Sequence, residues 1–138
     1  MAIEVAYRET KYCRAIRRAM KTLDHPTNVA LLTSLRAEFP DLSATTVHRA
    51  TARLAERGEI RVAPSTKQGA VRYDSLTTEH DHFNCTICDK LCDAELKEKI
   101  LPIITSAVID CSISGDIIIN GICGSCSKAK NQGTRIQK

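Results

Sequence analysis

The sequence predicts an α+β protein in which an N-terminal winged helix-turn-helix domain is followed by a small α/β domain. Three segments with helical apolar spacing precede two short strand-like segments, which is the element order of a winged helix. A generic small helical domain is the alternative, but the strands follow the third helix directly. The second half combines β-branched segments with two Cys-x-x-Cys pairs.

Three helices are predicted in the first half, over residues 10–23, from Thr27 to before Pro40, and from Ser43 to about Arg57. Thr27 and Ser43 are N-cap residue types, and Gly58 suits the position after the third helix. The expected buried residues are Tyr12, Ile16, Ala19 and Leu23 in the first helix, Val29, Leu32, Leu35 and Phe39 in the second, and Val47, Ala50 and Leu54 in the third.

Two short strands are predicted over residues 59–63 and 70–74, on either side of a turn-rich tip. We assign residues 1–75 to the first domain, 76–79 to a hinge and 80–138 to the second domain. The second domain is predicted to contain strands at 82–84 and 91–93, a helix over 94–107 that includes Pro102, a hairpin of 108–113 with 117–122, and a polar C-terminal tail over 131–138.

The charge distribution suggests a polyanionic partner. Residues 1–78 contain 13 basic and 8 acidic side chains, a net charge of +5, whereas residues 79–138 contain 7 and 8, a net charge of −1. A solvated surface is the alternative interpretation. Residues 1–8 lack a signal-peptide pattern, and no run approaches about 18 apolar residues, so we expect a cytoplasmic protein that does not cross a membrane.

In a winged helix, the third helix enters the major groove of double-stranded DNA. The residues predicted to face DNA are Thr45, Thr46, His48, Arg49 and Arg53, with Lys67 at the wing tip. Threonine methyl groups can contact thymine, and arginine can bind guanine or phosphate. Candidates for further backbone contacts are Arg14, Arg17 and Arg18. Each arginine taken alone is equally compatible with a solvated helix face.

The two Cys-x-x-Cys pairs predict a structural zinc site formed by Cys85, Cys88, Cys123 and Cys126. Four thiolates in two tight turns match the tetrahedral coordination of structural Zn²⁺. Two disulfides or a redox-active pair are the alternatives, but an odd total of seven cysteines favours metal-bound thiolates. Cys92 is a competing ligand candidate, and Cys13 and Cys111 are expected to be buried or spectator thiols.

A second candidate metal site begins with His80 and His82, whose side chains point the same way if they lie in a strand. His25, Asp74 and Asp93 are the candidate partners. Each of these residues taken singly is as readily explained as an ordinary loop or solvated residue. The residues alone therefore do not decide between a second metal site and ordinary surface residues.

The chain resembles the ferric uptake regulator family of bacterial metalloregulators over nearly its whole length. The resemblance lies in His25-Pro26-Thr27, residues 43–49, Arg72-Tyr73-Asp74, residues 80–85 with Cys88, and residues 123–126. It implies a homodimer in which a winged helix is joined by a hinge to an α/β dimerisation domain, with structural zinc on the four cysteines. It also implies a regulatory metal site on His25, Asp74, His80, His82 and Asp93.

The ligand pattern is most similar to that of the peroxide-sensing repressors, because Asp74 and Asp93 stand where iron-responsive members usually have glutamate. Imidazole and carboxylate ligands suit Fe²⁺ or Mn²⁺. In the peroxide sensors, bound Fe²⁺ reacts with H₂O₂ and a ligand histidine is oxidised; His25 and His80 are the corresponding positions. Three features depart from the family pattern: His48 replaces a usual tyrosine, Glu79 and Ile122 replace histidines of an additional metal site, and the C-terminal region is short.

The resemblance therefore implies a metal-dependent DNA-binding repressor rather than an enzyme, sensing peroxide through bound Fe²⁺ or Mn²⁺. One alternative is an iron- or manganese-responsive repressor of metal uptake. A second is a constitutive zinc-containing nucleic-acid-binding protein without sensing. A metal-dependent hydrolase is disfavoured because no nucleophile motif or phosphate-binding loop accompanies the ligands, and five protein ligands leave little open coordination.

Overall fold

The computed structural model describes residues 9–136, with side chains through residue 130. The chain divides into two compact units at the bond between Thr77 and Thr78. We call them the first and second units. Both contain helices and strands, which confirms the predicted α+β class.

Within its described residues, 9–77, the first unit contains three helices and a two-stranded antiparallel hairpin. The helices are α1 (Lys11–Met20), α2 (Asn28–Leu35) and α3 (Ala44–Glu56), and the strands are β1 (Arg61–Ala63) and β2 (Arg72–Asp74). Arg61 pairs with Asp74, and Ala63 pairs with Arg72. Three helices followed directly by a hairpin form a winged helix.

Side-chain caps begin all three helices of the first unit. The side-chain oxygens of Thr10, Thr27 and Ser43 accept hydrogen bonds from the backbone N–H groups of Cys13, Ala30 and Thr46 at 3.2, 3.1 and 3.2 Å. Gly58 follows α3 with a φ of 73°, a conformation that glycine adopts readily. The predicted N-caps at Thr27 and Ser43 and the predicted glycine after α3 are confirmed.

The first two helices are shorter than predicted. The helix α1 ends at Met20, and α2 ends at Leu35 because turns replace its expected last residues. The prediction that Val29 is buried was wrong, since its side chain is 72% exposed and Leu31 is buried instead. The stripe predicted on α3 is confirmed, and the core contains Cys13, Ala15, Ile16, Met20, Leu31, Leu35, Leu42, Val47, Ala50, Leu54, Ile60 and Tyr73.

The second unit contains a three-stranded sheet and two helices. Its elements are β3 (Asp81–Cys85), β4 (Leu91–Ala94), α4 (Lys97–Ala107), β5 (Ile118–Gly121) and α5 (Gly124–Ile136), and Pro102 lies inside α4 as predicted. The strand order is β4–β3–β5. The central strand β3 is antiparallel to β4 and parallel to β5, with His82 opposite Asp93 and Ile118.

The predicted hairpin of residues 108–113 with 117–122 is wrong. Residues 108–117 form no strand, and β5 pairs in parallel with β3. The backbone N–H of His82 donates to the carbonyl of Ile117 at 2.9 Å, and the N–H of Ile117 donates to the Asp81 carboxylate at 2.9 Å. The second β-branched segment therefore forms its hydrogen bonds with β3 rather than with its neighbour in sequence.

The predicted polar tail is also mostly helical, because α5 continues to Ile136. Residues 137 and 138 of that prediction, and the signal-peptide expectation for residues 1–8, lie outside the described residues. Within the part of the chain that the structure describes, no helix is long and apolar enough to cross a membrane.

Candidate metal centres and nucleic-acid interface

Four cysteine sulfurs form one cluster in the second unit. The Sγ atoms of Cys85, Cys88, Cys123 and Cys126 all lie within 4.8 Å of one another, and those of Cys88 and Cys123 are 3.7 Å apart. Four sulfurs that each lie about 2.3 Å from a tetrahedral zinc ion are about 3.8 Å apart. The cluster therefore fits a structural zinc site. The disulfide alternative fails, because no disulfide joins any two of the seven cysteines, all of which lie in the described part of the chain.

The fold of the second unit brings the two cysteine pairs together. Cys85 ends β3, Cys123 directly precedes α5, and the backbone N–H of Cys123 lies 3.4 Å from the Cys85 sulfur. The parallel pairing of β3 with β5 places Gly121 opposite Cys85. A Cβ atom on Gly121 would lie 3.0 Å from the Phe83 ring, so glycine permits this close approach.

Hydrogen bonds within the cluster favour the thiolate form of Cys85 and Cys123 and the thiol form of Cys126. The backbone N–H groups of Cys88 and Cys123 lower the pKa of Cys85 to about 6, although burial opposes this effect. The N–H of Cys126 likewise lowers the pKa of Cys123. Hydrogen bonds from Cys126 to the sulfurs of Cys123 and Cys88 raise the pKa of Cys126 to about 12. A divalent cation would take the place of this retained proton among the sulfurs.

The remaining cysteines lie outside the cluster. Cys13 is buried in the core of the first unit, as expected. Cys92 is half-buried in β4 and does not belong to the four-sulfur group. Cys111 is exposed, in agreement with a spectator role.

Two histidines and one aspartate converge in the second unit. The Nε2 atoms of His80 and His82 lie 3.1 and 3.5 Å from Oδ1 of Asp93, and the two ring centroids are 4.3 Å apart. The histidine side chains are 7% and 2% exposed. Ligands at adjacent positions of an octahedral ion, each about 2.1 Å from it, lie about 3 Å apart. This donor set fits a divalent cation that accepts nitrogen and oxygen ligands.

The backbone fixes the tautomer of His80. Its Nδ1 atom lies 2.8 Å from the carbonyl oxygen of Thr78. Because a carbonyl oxygen can only accept, Nδ1 carries the hydrogen in the neutral ring, and Nε2 keeps its lone pair. This is the arrangement found in metal-binding histidines, in which the second ring nitrogen donates to a carbonyl or carboxylate.

His25 and Asp74 form a second nitrogen–oxygen pair, in the first unit. The Nε2 atom of His25 lies 3.2 Å from Oδ2 of Asp74, and the side chains are 7% and 8% exposed. The other Asp74 oxygen accepts the backbone N–H of Leu76 at 2.9 Å. His25 has a φ of 43°, which is uncommon for a residue other than glycine. The pair offers one nitrogen and one oxygen ligand.

The loop that carries His25 is hydrogen-bonded to the strand that carries Asp74. The backbone N–H of Tyr73 donates to the carbonyl of Pro26 at 3.0 Å, and Thr27 forms a β-bridge with Arg72. Arg72 also donates to the carbonyls of Pro64 and Ser65 at 2.7 and 3.2 Å. The first-unit pair and the wing therefore share one framework, centred on β2.

Asp81 has a role that the sequence pattern did not indicate. It is 3% exposed, and its carboxylate accepts the backbone N–H groups of Leu96, Lys97 and Ile117 at 2.9, 2.7 and 2.9 Å. Burial alone would raise its pKa, but these bonds outweigh burial and hold the pKa below its usual value. One feature of the sequence could have indicated this role. The residue at the start of α4 is Leu96, whose side chain cannot accept a hydrogen bond, so the first N–H groups of the helix need an acceptor from elsewhere in the chain.

The residues predicted to face DNA are mostly exposed. Thr45, His48, Arg49 and Arg53 are exposed along α3, and Lys67 is exposed in the wing. Thr46 is half-buried, and its hydroxyl lies 2.9 Å from that of Ser43 at the helix cap. Arg17 pairs with Glu9 and Glu59, and Arg18 pairs with Glu38. These ion pairs weaken the expectation that Arg17 and Arg18 bind a DNA backbone.

Comparison with known proteins identifies the class. The sequence model described as the ferric uptake regulator family matches residues 4–107, which is most of the chain. The chain therefore belongs to the ferric uptake regulator family, a family of metal-responsive transcription regulators. No curated protein sequence matches the chain.

Solved structures of family members share the fold. The Helicobacter pylori ferric uptake regulator Fur, described with three functional metal binding sites, is 20% identical with a TM-score of 0.72 over 87% of this chain and 82% of that chain. The Francisella tularensis ferric uptake regulator with iron is 19% identical, with a TM-score of 0.71 over 92% and 99%. The Campylobacter jejuni peroxide stress regulator is 21% identical, with a TM-score of 0.60 over 82% and 87%.

Proposed function

We propose that this protein is a homodimeric, cytoplasmic, metal-dependent DNA-binding repressor whose regulatory ion is Fe²⁺ or Mn²⁺. The observation that carries the proposal is the convergence of His80 and His82 on Asp93 in a unit that already contains a four-sulfur cluster. A structural Zn²⁺ on the sulfurs stabilises the fold. The nitrogen–oxygen group, in which both imidazoles are buried and the Asp93 carboxylate is exposed, is then available for an exchangeable ion.

A single regulatory ion would take ligands from both units: His25, Asp74, His80, His82 and Asp93. Three ligands from the second unit leave an octahedral ion incomplete, and the first-unit pair supplies one further nitrogen and one further oxygen. An ion bound in this way fixes the angle at the hinge, residues 76–79. Because the ion binds more tightly to the protein with this hinge angle than to other arrangements, it favours the state that binds DNA.

Exposed apolar side chains support the homodimer. Ile103, Ile109 and Ile118 of the second unit are 70%, 76% and 46% exposed, and α4, which lies wholly within the described residues, has no buried residue. A second copy of the chain would cover such a surface. The two recognition helices of a dimer must reach half-sites about 34–36 Å apart, so the hinge angle controls DNA affinity. A coupling of about 1–3 kcal/mol corresponds to a roughly 5- to 150-fold change.

The DNA-binding face would consist of α3 and the wing. Exposed Arg49 and Arg53 bring positive charge to α3, and Lys67 extends it along the wing. The complete proposed set is Thr45, Thr46, His48, Arg49, Arg53 and Lys67. Arginine and threonine contacts to base edges would supply specificity, while lysine contacts to phosphate would supply affinity.

Peroxide is the proposed signal. The ligand set contains no thiolate, which supports Fe²⁺ or Mn²⁺ rather than a zinc sensor. H₂O₂ is itself the two-electron oxidant in this step, and Fe²⁺ held by these residues would activate it without net consumption of the ion. His25 or His80 would then take up one oxygen atom while water is released, and the altered ring would no longer bind the ion. An iron- or manganese-responsive repressor is the second candidate, supported by the same ligands.

The test compares Fe²⁺-loaded and Mn²⁺-loaded protein after exposure to H₂O₂. Peptide mass spectrometry should find an adduct of about 16 Da, one oxygen atom, on His25 or His80 in the Fe²⁺-loaded sample alone. Binding to a DNA duplex selected from a random library should be lost in parallel. Metal-dependent DNA binding without an adduct would favour the iron- or manganese-responsive repressor. DNA affinity that is the same with and without metal would favour a constitutive nucleic-acid-binding protein.

A further inference from the structure

Asn28 of α2 and His48 of α3 are in contact on the surface of the first unit. The Nδ2 atom of Asn28 lies 3.4 Å from Nδ1 of His48. His48 is exposed on α3. Asn28 is half-buried and is not among the residues proposed above to touch DNA.

Thr51 determines which end of the Asn28 amide faces His48. Thr51 is fully buried, and its Oγ1 lies 2.9 Å from Oδ1 of Asn28 and 3.1 Å from the carbonyls of Val47 and His48. A hydroxyl has one hydrogen to donate, and the shortest of these contacts is with Asn28. The amide oxygen therefore accepts from Thr51, and the amide nitrogen is turned toward His48.

A neutral imidazole carries its hydrogen on one ring nitrogen and a lone pair on the other. Because the Asn28 amide donates to Nδ1 of His48, the hydrogen of the ring lies on Nε2. We propose that Asn28 is a positioning residue that holds His48 in this tautomer, and that His48 donates its Nε2 hydrogen to guanine in the major groove. This inference rests on the proposed DNA-binding function.

Guanine offers a lone donor the largest number of acceptors, whereas adenine N7 and thymine O4 each offer one. The major-groove edge of guanine presents two acceptors, O6 and N7, and no donor. Cytosine presents an amino donor, adenine presents one donor and one acceptor, and thymine presents one acceptor beside a methyl group. The opposite amide orientation would leave Nε2 as an acceptor, which would select the amino group of cytosine or adenine. The two orientations therefore predict different bases.

Histidine ¹⁵N NMR tests the tautomer without DNA. The zinc-containing chain has four histidines, and the His48→Ala variant identifies the His48 signals by their loss. At slightly alkaline pH, His48 of the wild type should carry its hydrogen on Nε2. Asn28→Ala should give a mixture of the two tautomers, while Ser34→Ala, an exposed control on the same helix, should match the wild type. A hydrogen on Nδ1 in the wild type would overturn the proposal.

The base preference is tested with a random duplex library of about 30 bp, long enough for two half-sites. The Mn²⁺-loaded wild type should select guanine at one position of each half-site. His48→Ala and Asn28→Ala should lose that preference and keep the rest of the site, and Asn28→Ala should bind the selected duplex about 2- to 10-fold more weakly. Ser34→Ala should leave both unchanged.

Different results would overturn the inference about Asn28 and His48 and the proposed DNA-binding function. Selection of cytosine, adenine or thymine at the position that depends on His48, or an Asn28→Ala variant with the wild-type preference, would overturn the inference and leave DNA binding intact. A wild type that enriches no duplex would overturn the proposed function and this inference together. Circular dichroism of each variant tests whether the substitution leaves the fold unchanged.

Discussion

The Nε2 atom of His80 lies 3.1 Å from Oδ1 of Asp93, although His80 precedes β3 and Asp93 belongs to β4. The antiparallel register places His82 directly opposite Asp93. The ring of His80, two residues earlier, lies beside the ring of His82 and so reaches the same carboxylate. Two imidazoles therefore share one carboxylate. The metal-binding proposal for the second unit depends on this geometry.

Replacing either His80 or Asp93 should weaken regulatory metal binding without unfolding the protein. For His80→Ala and Asp93→Ala, we expect Mn²⁺ affinity to fall at least about tenfold, because the ion loses a direct ligand. Zinc content should stay at one per chain. Mn²⁺ titration calorimetry and elemental analysis measure the two quantities. Glu98→Ala on α4 is a matched control that removes an exposed carboxylate. Wild-type Mn²⁺ affinity in both variants would refute the assignment.

Removing one cysteine of the cluster should have the opposite effect. In Cys126→Ser, the four-sulfur shell is broken, so we expect loss of zinc and loss of cooperative melting of the second unit. Structural zinc contributes about 10–16 kcal/mol of binding free energy in small zinc domains. Loss of that contribution should exceed the free energy of unfolding of a small unit. Cys111→Ser replaces an exposed thiol outside the cluster and should melt like the wild type. Retained zinc with an unchanged melting curve in Cys126→Ser would contradict the structural role.

Asp81→Asn should destabilise the second unit, because an amide cannot accept all three backbone N–H groups that the carboxylate accepts. We expect a loss of about 1–3 kcal/mol in the free energy of unfolding at neutral pH. The folded pKa of Asp81 lies below its usual value. Its stabilisation is therefore present above the unfolded pKa of about 3.9 and is lost as pH falls through the folded pKa.

Urea unfolding from neutral to acidic pH measures this effect. The difference between wild type and Asp81→Asn should be constant down to about pH 5 and shrink below about pH 4. The control is Asp110→Asn, since Asp110 is exposed and its φ of 61° is also accessible to asparagine. A difference that grows as the pH falls would show that Asp81 is not held as a carboxylate by these bonds.

Several features of the fold were predictable because they depend on local interactions. The caps at Thr27 and Ser43 bond to N–H groups three residues ahead, so their signal is contained in a short stretch of sequence. The buried stripe of α3 follows from helical periodicity. The His-x-His spacing and the cysteine pairs are equally local, so the sequence pattern was sufficient to indicate which of these side chains come together in the second unit.

Other features depended on contacts between distant segments. Two β-branched segments flanking Gly115 have the pattern of a hairpin, yet β5 pairs with β3, and residues 108–113 are not a strand. Asp81 was missed for the same reason, because its partners Leu96 and Ile117 are far along the chain. Val29 was wrongly predicted to be buried. The buried face of α2 is formed by Leu31 and Leu35, and Val29 lies about half a turn away around the helix axis.

Arg49→Ala should weaken DNA binding and leave metal binding unchanged. Arg49 is exposed on α3, and the variant removes a positive charge without touching a proposed metal ligand. If Arg49 contacts phosphate, affinity should fall for all sequences and the slope of affinity against salt should decrease by about one contact. If it contacts guanine, a cost of about 1–3 kcal/mol should appear at one base position.

Fluorescence anisotropy with the selected duplex at several salt concentrations distinguishes these cases. Lys99→Ala, an exposed cation on α4, is the matched control and should bind DNA like the wild type. Loss of Mn²⁺ binding in Arg49→Ala, in proportion to the loss of DNA binding, would contradict the separation of metal and DNA sites.

Anomalous X-ray diffraction at the manganese absorption edge, on crystals of the Mn²⁺-loaded protein, tests the central claim most directly. The account predicts one manganese peak per chain within about 2.0–2.4 Å of ligand atoms from His25, Asp74, His80, His82 and Asp93, and zinc alone at the four cysteines. A manganese ion held by ligands from only one unit, with the other pair uninvolved, would contradict it.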